Sequence, residues 1–110
     1  MANQSLTTIL GTNAAQTANQ ITISKSDLAA VGLSASASND GESILIAIIL
    51  MAKQYLTAAN QATTPAIQVT LADGVQPTYV TRSGTLYRRD NITVSMDVPT
   101  TSPGIDPDNY

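Results

Sequence analysis

The feature that most constrains this chain is an unbroken apolar run in its middle, from Ile44 to Ala52. Drawn as a helix, the run carries apolar side chains on every side, so it has to be covered on every side. A short apolar run also suits a buried strand. The capping-box spacing of Asn39 and Glu42 in front, and the polar continuation from residue 53 to 59, favour a helix. We predict one over residues 40–59.

A second, shorter helix is indicated before it. Residues 21–23 have the composition of a short strand, and Ser24 can then cap a helix with Asp27 at the third helical position, as in a capping box. Gly32 can take the left-handed conformation that ends a helix, with Leu33 folding back on it. This pattern is structural and predicts no chemistry.

The second half of the chain has the patterns of strands. Alternation of apolar and polar residues predicts strands over 66–72 and 77–82 and a longer strand region over 85–98. Asp73-Gly74 and Ser83-Gly84 are turn signals, and we expect a bend or bulge at residues 89–91. Strands segregated from helices predict an α+β fold: one long buried helix and a short helix packed on an antiparallel sheet of about three strands.

The chain ends differ from this centre. Residues 1–20 hold few large apolar side chains and are interpreted as an N-terminal arm that docks on the body or on a neighbour, with a short strand near 7–10. Residues 99–110 contain three prolines and are predicted to form an extended C-terminal tail. The single α+β domain is therefore placed at residues 21–98, between two extended arms.

The size of the chain limits how well it can cover the apolar helix. A chain of 110 residues buries its surface incompletely, and without cysteine no disulfide can add stability. We therefore expect the uncovered part to meet another subunit, most simply a second copy. The predicted interface combines the helix, the basic and aromatic residues of the strands, and the acidic tail; it comprises Ile46, Ile49, Met51, Tyr79, Arg82, Tyr87, Arg88, Arg89, Asp106 and Asp108.

The residues needed for common catalytic chemistry are few. The sequence has no histidine and no cysteine, the usual proton shuttle and the readiest thiol nucleophile and soft metal ligand. Asp90 and Asp97 would point to opposite faces of a regular strand, which does not suit a carboxylate pair. Asp106 and Asp108 lack the glycine and terminal glutamate of an EF-hand loop. The prediction is a protein that is not an enzyme, with no cofactor and no metal.

Charge and hydropathy limit the classes of partner that this chain is expected to bind. Charged residues are 12% of the chain and the net charge is −3, so general attraction to nucleic acid is not expected. The apolar run is too short for a membrane span, and the N-terminus has no secretory signal pattern.

The basic cluster of Arg82, Arg88 and Arg89, near Tyr79 and Tyr87, keeps three interpretations open. Its arginines can be ordinary edge-strand charges, they can pair with Asp106 or Asp108 of another copy, or the cluster can be a face that binds a small molecule or glycan.

Three short stretches carry a resemblance to known sequences: LGTNA at 10–14, ISKSDL at 23–28 and IDPDNY at 105–110. In these the chain resembles small uncharacterised cyanobacterial and cyanophage proteins. The resemblance implies a phage structural component, such as a head decoration (cement) protein or a small tail or neck subunit. It places the protein in the virion, or in the host cytoplasm before assembly, among other virion or assembly proteins. The alternative is the binding module that uses the arginine and tyrosine face.

Overall fold

The computed structural model describes residues 4–99 and 104–110. Residues 1–3 of the predicted arm and 100–103 of the predicted tail lie outside these ranges. The helices are α1 (Leu6–Leu10), α2 (Lys25–Leu28), α3 (Gly41–Tyr55) and α4 (Ala58–Thr63), and short 3₁₀ turns cover Ala29–Val31 and Pro107–Asn109. The strands are β1 (Ala15–Gln16), β2 (Ile21–Thr22), β3 (Val69–Asp73), β4 (Thr78–Arg82), β5 (Thr85–Arg89) and β6 (Ile92–Met96). The predicted α+β class is confirmed.

The strands pair two by two rather than as one sheet of about three strands. β1 pairs with β2, β3 with β6, and β4 with β5, all antiparallel. The last two ladders form one long hairpin that is interrupted midway. Four residues, 74–77, connect β3 to β4, but only two residues, 90–91, connect β5 to β6. Because these connections differ in length, one continuous ladder cannot stay in register. The Gly74 N–H donates to the Asn91 carbonyl (2.8 Å) at this interruption.

The interruption corrects the predicted strand over 85–98. That segment is two strands with different partners, and the expected bend at residues 89–91 is the point where they separate. The alternating apolar residues of β6 lie on the same face as those of β3, since Leu71 is opposite Val94 and Val69 is opposite Met96. Leu71 is buried, but Val94 and Met96 are 47% and 46% exposed.

The predicted helix over 40–59 is two helices. Leu56 ends α3 with a non-helical ψ of 74°, and Thr57 caps α4 by accepting a hydrogen bond from the Asn60 N–H (3.1 Å). At the other end Asp40 is the N-cap residue. Asn39 does not form the expected capping box; its side chain bonds to the backbone of Ser36 and Ser34.

The core is small. Leu56, Ile67 and Leu71 form a buried cluster between α3, α4 and β3, and Ile9 and Ile49 are among the half-buried side chains packed against it. Outside this cluster, Ala14, Leu28 and Ala47 are buried.

The described part of the N-terminal segment folds onto the body and is not extended, and docking on the body is one of the two placements expected for the arm. Ser5 caps α1 by accepting from the Thr8 N–H (3.2 Å), so residues 6–10 form a helix where a strand was expected. α1 lies against α3, and the Tyr55 hydroxyl donates to Gln4 (2.8 Å). Asp27 does not close a capping box, because its carboxylate accepts from the backbone and side-chain N–H groups of Asn13 (2.9 and 3.0 Å).

The end of the C-terminal segment also returns to its own chain. Residues 107–109 form a 3₁₀ turn that Asp106 caps. The Gln68 side chain donates to the Asn109 carbonyl (3.0 Å), and Tyr110 lines a cleft of about 190 Å³ beside Leu56 and Ile9. The last two residues are therefore docked on their own chain, whereas residues 104–108 are exposed.

The fold remains expanded for its length. Its radius of gyration is 16.2 Å, against about 13 Å for a compact domain of this size. It exposes 7758 Å², whereas a monomeric protein of this mass exposes about 5,800 Å². Much surface that a compact monomer would bury is thus left in solvent.

Candidate functional site

The first candidate surface is the N-terminal half of α3. Leu45 and Ile46 are 57% and 56% exposed, and Ala47 is the buried residue of the helix. Their neighbours Ile44, Ile48, Leu50 and Met51 are half-buried. The expectation that one chain cannot cover the whole helix agrees with this exposure.

The uncovered face results from where the neighbouring elements lie. Ile49, Ala52 and Tyr55 pack on the core cluster, so the C-terminal half of α3 is partly covered. Contacts to α3 come from α1, α2, β3 and the 3₁₀ turn at residues 29–31. Strands β4 and β5 contact chiefly each other, so the β4–β5 hairpin does not cover the start of α3.

A groove runs along one side of this exposed face. Its volume is about 410 Å³, and its apolar lining includes Val31, Leu33, Ile46 and Leu50. Gly32 lines the groove and ends the 3₁₀ turn in the left-handed conformation, as predicted. The Leu33 N–H then donates to the Leu28 carbonyl (3.3 Å). Apolar surface therefore continues from α3 onto its neighbour.

The second candidate surface is the β4–β5 hairpin. All its residues are exposed except Val80, which is half-buried. The turn uses Ser83 (φ 50°) and Gly84 (φ 80°), the positive φ values that a tight two-residue hairpin requires. The predicted turn at these two residues is confirmed.

The hairpin register separates the predicted arginine and tyrosine face into two. Residues directly opposite each other share a face, and Tyr79 lies opposite Arg88 while Val80 lies opposite Tyr87. Tyr79, Leu86 and Arg88 therefore share one face, and Arg82, Tyr87 and Arg89 the other. This geometry corrects the expectation of a single binding face.

Each hairpin face has an internal contact that orients an arginine. On one face the Arg82 guanidinium lies 4.4 Å from the centre of the Tyr87 ring, a cation–π contact. On the other, Arg88 pairs with Asp90 at 3.0 Å. Both partners of this ion pair are more than half exposed, so solvent screens it and it is easily exchanged.

The remaining predicted residues are dispersed. Ile49 points to the core cluster and Met51 is half-buried, so neither belongs to the exposed face around Ile46. Asp106 and Asp108 are exposed at the tail, where the Asp106 carboxylate accepts the Asp108 N–H (3.0 Å). Within residues 4–99 and 104–110, no group of three acidic residues could hold a metal ion.

Sequence reasoning missed two residues of these surfaces, Leu45 and Leu86. Leu86 is 67% exposed and is the second residue of β5. Its position could have been found by counting outward from the Ser83-Gly84 turn, which places it diagonal to Tyr79 on the same face.

Length and composition also give α3 and α4 a second interpretation. Gly41–Thr63 is long and apolar enough to cross a membrane, and 11% of its most apolar window is buried. The break at Leu56 opposes this interpretation. α3 alone has 15 residues, or about 22 Å, which is shorter than the roughly 30 Å hydrocarbon core of a bilayer.

Compared with known protein families, curated proteins and solved structures, the chain matches none of them. Its function is therefore argued from the two surfaces.

Proposed function

We propose that this protein is a non-enzymatic structural subunit that assembles with copies of itself through the exposed apolar face of α3. The observation that carries the proposal is the exposure of Leu45 and Ile46, 57% and 56%, on a helix whose apolar residues continue all the way round. Burying that face against another chain is favourable by about 25 cal/mol per Å² before the costs of association.

The expanded shape supports the same proposal. The chain is larger and exposes more surface than a monomer of its mass. The chain has no cysteine and so no disulfide to stabilise it, and burial of its apolar surface against another copy is a further source of stability. Given the resemblance to cyanophage sequences, we propose a virion setting, as a head decoration, tail or neck protein.

A small-molecule or glycan binding module is the weaker alternative. It needs arginines and tyrosines converging on one concave surface, as ligand sites generally do. In the described hairpin these residues lie on two opposite faces.

Sedimentation velocity over a concentration series tests the proposal. Wild-type protein is expected to sediment as an oligomer at micromolar concentration, and Ile46→Ser to shift it towards monomer. Isoleucine and serine have similar helix propensities, so α3 itself should survive. Ile21→Ser is the matched control, because Ile21 is 66% exposed on a different surface.

Two results would contradict self-assembly through the exposed face of α3. One is a wild-type protein that stays monomeric throughout the series. The other is an Ile46→Ser variant that associates as well as Ile21→Ser does. A third arm adds neutral lipid vesicles, and co-sedimentation that Ile46→Ser abolishes would show that the face meets a membrane instead.

A further inference from the structure

The β4–β5 hairpin presents a compact patch of two apolar side chains and one cation. Tyr79 and Leu86 are each 67% exposed and lie diagonally on one face, with Arg88 directly opposite Tyr79. We call these three residues the hairpin patch. An isolated two-stranded hairpin is marginally stable in water, so an exposed one gains from a partner.

The start of α3 presents a patch of matching composition and opposite charge. Glu42, Leu45 and Ile46 stand at positions i, i+3 and i+4, which share one side of a helix. All three are exposed. We call them the helix patch.

Charge is distributed so that the two patches attract. The hairpin from Thr78 to Arg89 carries three of the five basic residues of the chain and none of its eight acidic residues. The start of α3 carries Asp40 and Glu42 and no cation until Lys53. Two hairpins placed together would oppose like charges, whereas a hairpin on a helix patch pairs unlike ones.

The spacing within the patches also agrees. On the hairpin, Arg88 and Leu86 are two residues apart along a strand, about 7 Å. On the helix, Glu42 and Ile46 are four residues apart, about 6 Å along the axis. An arginine placed on Glu42 would therefore bring Leu86 over Ile46, with Tyr79 near Leu45.

The exposed area permits two such contacts for each copy. The surface exceeds that of a compact monomer by about 2,000 Å². A standard protein interface buries roughly 800 Å² on each partner. A chain that uses one patch to dock and another to receive needs two interfaces of this size.

We infer that copies of this protein join head to tail, the hairpin patch of one copy docking on the helix patch of the next. The inference rests on the proposed self-assembly and specifies its contact. Such contacts close a two-fold dimer if each copy's hairpin reaches the other's helix, and otherwise close into larger rings or continue as filaments. The Arg88–Asp90 pair within the chain is exchanged for Arg88–Glu42 between chains.

Charge reversal followed by mixing tests this contact. Arg88→Glu and Glu42→Arg are each expected to weaken association about tenfold or more, because each puts like charges together. An equimolar mixture of the two variants should associate more strongly than either variant alone, since every contact between unlike variants again joins opposite charges. Arg89→Glu is the matched control, with the same charge change on the opposite hairpin face.

The outcomes separate the two proposals. A monomeric wild type would overturn self-assembly itself. An oligomeric wild type with Arg88→Glu no weaker than Arg89→Glu, or with no recovery on mixing, would overturn the head-to-tail contact and leave self-assembly standing.

A second measurement does not depend on charge. The natural chain has no cysteine, so single cysteines can report proximity without background. Leu86→Cys mixed with Ile46→Cys should form a disulfide between chains under mild oxidation. Thr85→Cys, on the other hairpin face, should not form one with Ile46→Cys. Equal cross-linking of both pairs would overturn the proposed docking face.

Discussion

Ile67→Ala measures how far this protein depends on its small core. Ile67 is 1% exposed and packs with Leu56 and Leu71. Losing three carbons at about 0.8 kcal/mol each removes about 2.4 kcal/mol of transfer free energy. The cavity left behind adds to this, and the expected loss is about 3 kcal/mol in the free energy of unfolding.

That loss is large against the roughly 5–15 kcal/mol by which folded domains are stable. Urea unfolding followed by far-UV circular dichroism, at one fixed protein concentration, measures it. The concentration is held constant because association would stabilise the folded state by mass action. Ile21→Ala is the control: the same substitution at a side chain 66% exposed should cost under about 1 kcal/mol. A difference of less than about 1 kcal/mol between the two variants would refute the assignment of the core to Ile67.

Substitutions of Gly11 and Tyr110 test how the chain ends are held, and Gly32→Ala is the comparison for Gly11→Ala. Gly11→Ala should lower the free energy of unfolding by about 3 kcal/mol, because φ is 111° and the new Cβ would lie 2.6 Å from the Asp27 side chain. Gly32→Ala, at φ 105° in open space, should cost only about 1 kcal/mol, so equal thermal shifts would contradict the reasoning. Tyr110→Ala should cost about 1–2 kcal/mol, since its ring is half-buried in the terminal cleft. Its sedimentation should stay that of wild type, and a loss of association would mean that the tail binds a neighbour instead.

Local signals in the sequence predicted the elements whose geometry is decided locally. The apolar run is a helix, Gly32 ends the preceding turn, and Ser83-Gly84 forms the hairpin turn. The two turns are predicted from the glycines themselves, and the helix is indicated by the polar residues that flank the apolar run.

Elements that depend on distant contacts were not predicted. Residues 6–10 are too few to form a helix alone, and α1 is held by its packing on α3, with Gln4 bonded to Tyr55 from far along the chain. The helix over 40–59 was predicted too long because its end at Leu56 is set by burial in the core and not by a glycine or proline.

The candidate site was predicted by residue type but not by geometry. The sequence predicts a basic and aromatic hairpin, but residue types alone place its arginines and tyrosines on one face, since they do not include the pairing of β4 with β5. The turn at Ser83 and Gly84 fixes that register, with Arg82 opposite Thr85. Which side chains of β4 and β5 share a face follows from this pairing.

The nesting of one ladder inside the other has a kinetic consequence. β4 and β5 meet across a two-residue turn, and their pairing draws the ends of β3 and β6 together. The entropy cost of closing the loop between β3 and β6 has then already been met when these two strands pair. The β4–β5 ladder should therefore form first and the β3–β6 ladder second, at the microsecond rates of isolated hairpins. The exposed β4–β5 tip would therefore form before the rest of the fold.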